Sequence, residues 1–184
     1  MRRDDCSSGP FLAGRLLLFS VALAALAASS LPAQEIHIRV LNARNGKPVA
    51  GACMSVYFGT WHVNSDMWAG TNQEGVAVLH FVNHFWVAES GCHGWKKESY
   101  FPSGLGTIAI QNDFHVDCQE LAPGLDKSGH FVPIEWRYPT YSIKRILESG
   151  IAGSNICGKA RAEAKPGELI VFARRASLLE KLRE

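Results

Sequence analysis

Five cysteines, seven histidines and five tryptophans hold most of the chemistry this 184-residue chain could perform. Cysteine beside histidine could give a thiol nucleophile or a metal site. No two cysteines stand at CxxC spacing, so a zinc knuckle or a thioredoxin-type redox pair has no basis. His62, His80, His84, His93 and His115 could become neighbours in a folded sheet, but no HExxH spacing links any of them. His80 and His84 flank a break between two strand-like runs. The histidines therefore read as isolated surface or strand-end residues, and no metal or cofactor is expected. A Gly-x-Ser-x-Gly elbow is absent. The Gly-x-Gly within Phe101–Gly106 does not open a helix after a strand, so it is no phosphate loop. No catalytic residue is assigned. The tryptophans point elsewhere: aromatic faces stack on sugar rings and mark interaction surfaces. Trp61, Trp68 and Trp95 are the candidate ligand-binding residues, with Trp95 followed by Lys96 and Lys97 in a loop. Trp86 reads as core.

The cysteines also report on compartment. Arg2, Arg3 and Arg15 precede an apolar run, Leu16 to Ala28, which ends in the small-residue stretch Ser29-Ser30-Leu31-Pro32-Ala33. Those are the three regions of a secretory signal peptide, with cleavage expected after Ala33. Asp4 and Asp5 dilute the charge of the first region. The apolar run is well short of the roughly 20 residues a spanning helix needs, so an uncleaved anchor is the lesser reading. No cysteine follows the run to accept a lipid. Cys6 leaves with the leader, and Cys53, Cys92, Cys118 and Cys157 remain. An even number in an oxidising compartment reads as two disulfides, with three connectivities open. A secreted or periplasmic protein is expected, with no integral membrane segment after cleavage. The net charge of +2 falls by one on cleavage, leaving no basic surplus for nucleic acid. Residues 34–184 are of one-domain length.

These groups need elements to position them. Glu35 to Val40 alternates, with Ile36, Ile38 and Val40 on one face of a strand. Asn45-Gly46 supplies a tight turn, and Pro48 marks its far side. Ala52–Phe58, Val76–Val82 and Phe85–Ala88 read as strands, with a turn at Glu74-Gly75. Thr60–Val63 is a weaker strand and Asn64-Ser65-Asp66 a turn. Ser90–Gly106 reads as a surface loop carrying Cys92. A strand restarts at Thr107–Ile110 and is extended through Phe114 and Val116 to Cys118. Leu121–Pro139 reads as a long connection. Ser142 caps a short helix, Ile143–Ser149, that ends at Gly150. Glu168–Ala173 is a last strand, and Ser177–Arg183 a charged amphipathic helix. Short strands with frequent turn signals imply a sandwich or small barrel.

Two patterns carry a resemblance. Asn42-Ala43-Arg44-Asn45-Gly46-Lys47-Pro48-Val49-Ala50-Gly51-Ala52 after a strand, then Thr71-Asn72-Gln73-Glu74-Gly75-Val76-Ala77, resemble the carboxypeptidase regulatory-like domain over roughly residues 35–90. The resemblance implies a transthyretin-like (prealbumin-like) Greek-key β-sandwich of about seven strands. Two short helices join it in the C-terminal third. In that family the domain is an accessory and not a peptidase. Tyr141 onward through Cys157 to Arg175 is similar to small exported bacterial proteins of unknown function, in which cysteines near Cys118 and Cys157 go together. This implies Cys118–Cys157 and, by remainder, Cys53–Cys92. The tyrosine–arginine–glycine–serine terminus of the related purine-pathway hydrolase is missing. A lysine in the first strand for an internal isopeptide bond is missing too.

The expectation is therefore an exported, non-catalytic β-sandwich that binds or scaffolds an unknown protein or glycan partner. A carbohydrate-binding module using loop tryptophans is the alternative, and a small hydrolase or metal-binding protein a distant third.

Overall fold

A computed structural model describes residues 34–59, 66–101, 106–113, 115–124, 128, 130 and 137–175. Eleven strands in two sheets and one α-helix lie among them. The protein is mainly β, a sandwich of a large and a small sheet.

The first strand, β1 (Glu35–Asn42), sits in the middle of the large sheet because every second residue is apolar and buried. It pairs antiparallel with β4 (Val76–Val82), Ile38 opposite Ala77. On its other side it pairs parallel with β11 (Glu168–Arg175), Val40 opposite Val171. The first and last strands among the described residues are thus neighbours inside the large sheet. β5 (Phe85–Ala88) and β6 (Glu98–Tyr100) extend the sheet beyond β4. β8 (His115–Asp117) and the two-residue β10 (Ile151–Ala152) both pair with β11 at its far side. The small sheet runs β3 (Asp66–Gly70), β2 (Cys53–Phe58), β7 (Thr107–Asn112) and β9 (Thr140–Ser142), all antiparallel.

Side chains from both sheets meet in one core. Trp86 is fully buried there, its ring stacked on Phe58 of the opposite sheet at 5.7 Å. A second, outer cluster forms where residues 153–167 cross the back of β11. Ala160, Ala162 and Ala164 pack over Ile170 and Phe172, beside Cys118. That cover explains why β11 reads as a continuous apolar run: both of its faces are buried.

Helix α1 (Ile143–Ser149) begins at Ser142, whose hydroxyl accepts from the Arg145 amide at 3.4 Å, and ends at Gly150 with φ +72°. Ile143 and Ile146 face the core. The second expected helix, Ser177–Arg183, lies outside the described residues, as does Thr60–Val63.

Several expectations are corrected. The strands number eleven among the described residues, not about seven. Asp66 opens β3 instead of closing a turn. The loop drawn over Ser90–Gly106 contains β6, a three-residue strand too short to show a period. The single strand extended from Thr107 to Cys118 is two, β7 in the small sheet and β8 in the large one. The break falls where Asn112 and Asp113 leave one sheet for the other.

The two turn patterns take positive φ at Gly46, Gly51 and Gly75. Neither makes a hairpin between sheet neighbours, however. β1 to β2 and β3 to β4 both change sheets. The two turns also interlock. Thr71 Oγ1 donates to the Val49 carbonyl and accepts from the Ala52 amide, both at 2.8 Å. The Val40 amide donates to the Gly75 carbonyl at 2.9 Å. Patterns twenty residues apart in sequence form one corner of the sandwich.

Candidate functional site

β3 is the edge of the small sheet. Its pleat sends Met67 and Ala69 inward and Trp68 outward. An edge strand carries unpaired amides that need partners. Here the Trp68 and Gly70 amides donate to the carbonyls of Lys96 and Ser90 at 2.7 and 2.8 Å. Those acceptors belong to residues 89–97, which connect β5 to β6 and so lie along the edge of the opposite sheet.

A disulfide holds this loop in place. Cys53, opposite Gly70 on β2, is bonded to Cys92. At the loop tip the Trp95 amide donates to the Cys92 carbonyl at 2.8 Å, and His93 and Gly94 take φ of +50° and +76°. Two consecutive positive φ values across such a bond are the mark of a type I′ turn. The turn lays Trp95 on Trp68, ring centroids 4.0 Å apart and planes at 57°. The His93 ring stands edge-on to Trp95 at 5.7 Å. Trp95 keeps 43% of its surface exposed, and Lys96 and Lys97 are exposed beside it.

The structure thus brings together two of the three candidate ligand-binding tryptophans, Trp68 and Trp95. Trp61 lies outside the described residues, as does Trp136, and Trp86 is core. The second disulfide joins Cys118 to Cys157, so the bonds follow one of the three connectivities open to four cysteines. Two disulfides fit an oxidising compartment. Among the described residues no helix is long and apolar enough to cross a membrane.

Of the candidate histidines, His62 lies outside the described residues. His80 lies between Glu89, 2.8 Å from its Nε2, and Glu35, 3.2 Å from its Nδ1, and Glu35 also touches His37. His84 and His93 sit in turns. Among the described residues no three His, Cys, Asp or Glu side chains are placed to hold a metal ion.

Two features escape the sequence reading. One is a second exposed aromatic pair on the large sheet, Phe85 and Tyr100, with rings 5.3 Å apart. They are cross-strand partners on β5 and β6, invisible while β6 is read as loop. The other is a buried polar network. Asp117 accepts from the Asn112 amide at 3.1 Å and from the Asn112 side chain, and is bonded to Tyr138 and Gln119. Gln119 Nε2 donates to the Ile110 carbonyl at 3.3 Å, and its Oε1 accepts from the Tyr141 hydroxyl at 2.6 Å. Burial pushes the Asp117 carboxyl up to about 6, against the lowering effect of these hydrogen bonds. Burial and the nearby Asp117 charge push Tyr141 up to about 12 and raise Tyr138 further. Tyr138 and Tyr141 line an open cleft with Glu120, Arg137, Thr140 and Ser154. Asn112, Asp117 and Gln119 are close in sequence, but no local period links them to tyrosines twenty residues on.

No family model, curated protein or solved structure matches this chain.

Proposed function

We propose that this is an exported, non-catalytic β-sandwich module that binds its partner through the Trp68–Trp95 face. One observation carries the reading: a tryptophan left 43% exposed on a loop that a disulfide, a type I′ turn and two backbone bonds to β3 hold in one place. Exposed rings on an ordered loop lose little entropy on binding, so they favour recognition. The paired turn patterns around Gly46 and Gly75 resemble those of carboxypeptidase regulatory-like domains, which act as accessories. The two disulfides support export through the leader at residues 1–33, to the periplasm or beyond.

The partner is a protein or a glycan. The carbohydrate reading gains from the chemistry of the face, where an indole surface with Lys96, Lys97 and His93 around it suits a sugar ring bearing hydroxyl or acidic groups. Glycan-array binding by residues 34–184 tests it. Trp95→Ala is expected to reduce binding at least tenfold with an unchanged melting temperature, while Tyr100→Ala on the other aromatic pair leaves binding intact. Equal binding by wild type and Trp95→Ala sinks the assignment of this face.

A further inference from the structure

The cleft over the Asp117 network has a hydrogen-bonding polarity that follows from where its protons go. The phenol of Tyr138 is bonded inward to Asp117, and that of Tyr141 gives its proton to Gln119 Oε1. A phenol has one O–H, so with these protons given inward each phenol oxygen has only acceptor capacity left. The Gln119 amide cannot turn round, because its Nε2 is committed to the Ile110 carbonyl. Glu120 adds a carboxylate to the same lining. Arg137 donates its Nε to the Ala122 carbonyl at 2.8 Å, and its charge, which acts on Tyr138, is matched in the lining by that of Glu120. Behind the phenols Asp117 is held by the neutral donors Asn112, Tyr138 and Gln119. Gly153 forms part of the wall, and a Cβ there would stand 2.7 Å from the Tyr141 hydroxyl.

We propose that this cleft, walled by Tyr138 and Tyr141 in front of Asp117, is a binding site for a primary ammonium group such as a lysine side chain or a polyamine end. An ammonium supplies three donors and a positive charge. It would meet two phenol oxygens, find ring faces for cation–π contact and offset the buried carboxylate. This site is separate from the tryptophan face and does not depend on it.

The titratable and charged groups around Asp117 among the described residues include the phenols of Tyr138 and Tyr141, with Tyr57 and Arg137 flanking Tyr138 and Glu120 in the cleft lining. Burial brings the Asp117 carboxyl into the range between pH 5 and 7. With its carboxyl near 6, the ionised fraction falls about tenfold over that range. Ammonium affinity should fall by about the same factor, although n-butylammonium itself stays charged.

The test is titration of ¹⁵N-labelled residues 34–184 with n-butylammonium chloride, following the amides of Thr140, Gly153 and Ser154, with n-butanol as the neutral match. Saturable shifts are expected with the ammonium and not the alcohol. They should weaken about tenfold from pH 7 to pH 5, and Asp117→Asn should remove that pH dependence. Tyr138→Phe should weaken binding and keep it. Equal response to butanol, no saturation, or affinity unchanged between pH 5 and 7 overturns the proposal. The wild-type pH profile decides alone if Asp117→Asn fails to fold.

Discussion

Gly75 shows how one residue can hold a corner. Its φ is +72°, and a Cβ there would stand 2.8 Å from both the Pro48 Cβ and the Val49 amide nitrogen. Gly75→Ala therefore meets backbone strain and a collision with the other turn. A loss of about 2 kcal/mol or more is expected, seen as a melting temperature lower by roughly 4–8 °C. An unchanged melting curve would show that the two turns do not interlock. Asp117 acts in the opposite sense to most carboxylates. Burial lifts its folded pKa to about 6, above the ordinary value of 3.8. Its favourable contribution is complete below 3.8 and lost as pH rises through 6. A shift of this size corresponds to roughly 3 kcal/mol. Wild type should gain on Asp117→Asn as pH falls from 7 to 4, measured by urea denaturation across that range. The glycine was legible, because Glu-Gly after an Asn turn signals positive φ. The carboxyl was not: its pKa comes from burial by residues far along the chain.

At the level of elements, β3 and the loop over residues 89–97 depend on each other. The loop supplies acceptors to the edge amides, and the Cys53–Cys92 bond keeps it there. The paired substitution Cys53→Ala, Cys92→Ala should cost about 2–4 kcal/mol. Hydrogen exchange at the Trp68 and Gly70 amides should accelerate by at least tenfold more than at Ile38. Uniform acceleration at all three would mean that the bond stabilises the whole fold and does not organise the face. Strands with a clean alternation, β1 and β4, were readable because the pleat sorts their residues between core and solvent. β3, β6 and β10 were not, since five, three and two residues are too few to establish a period. Trp95 was readable as a loop residue, but its contact with Trp68 needs β6 to close the loop against the other sheet.

For the molecule as a whole, the parallel pairing of β1 with β11 and the outer cover of residues 153–167 tie the first described strand to the last. Gly158 sits so close to the first turn that an added Cβ would fall 2.0 Å from the Ala43 carbonyl. Asn155 Nδ2 donates to that same oxygen at 2.8 Å. Cys118–Cys157 fixes this cover over a 39-residue separation. Cys118→Ala with Cys157→Ala should lower stability by about 2–4 kcal/mol and raise proteolysis between residues 153 and 167, read by limited trypsin digestion and mass spectrometry. Digestion identical to wild type would show that packing on Ile170 and Phe172 suffices without the bond.

The sequence by itself determined the β class, the turns at Gly46 and Gly75, the capped helix and the cysteine count. These are properties of neighbouring residues: alternation on a pleat, glycine's access to positive φ, a serine ahead of an apolar turn. Only the tertiary structure decided that both turns cross between sheets and lock together, that Trp68 meets Trp95, and that Asp117 is enclosed with two tyrosines. Each of these joins segments through sheet order, and sheet order depends on the packing of two faces into one core rather than on any local stretch of chain.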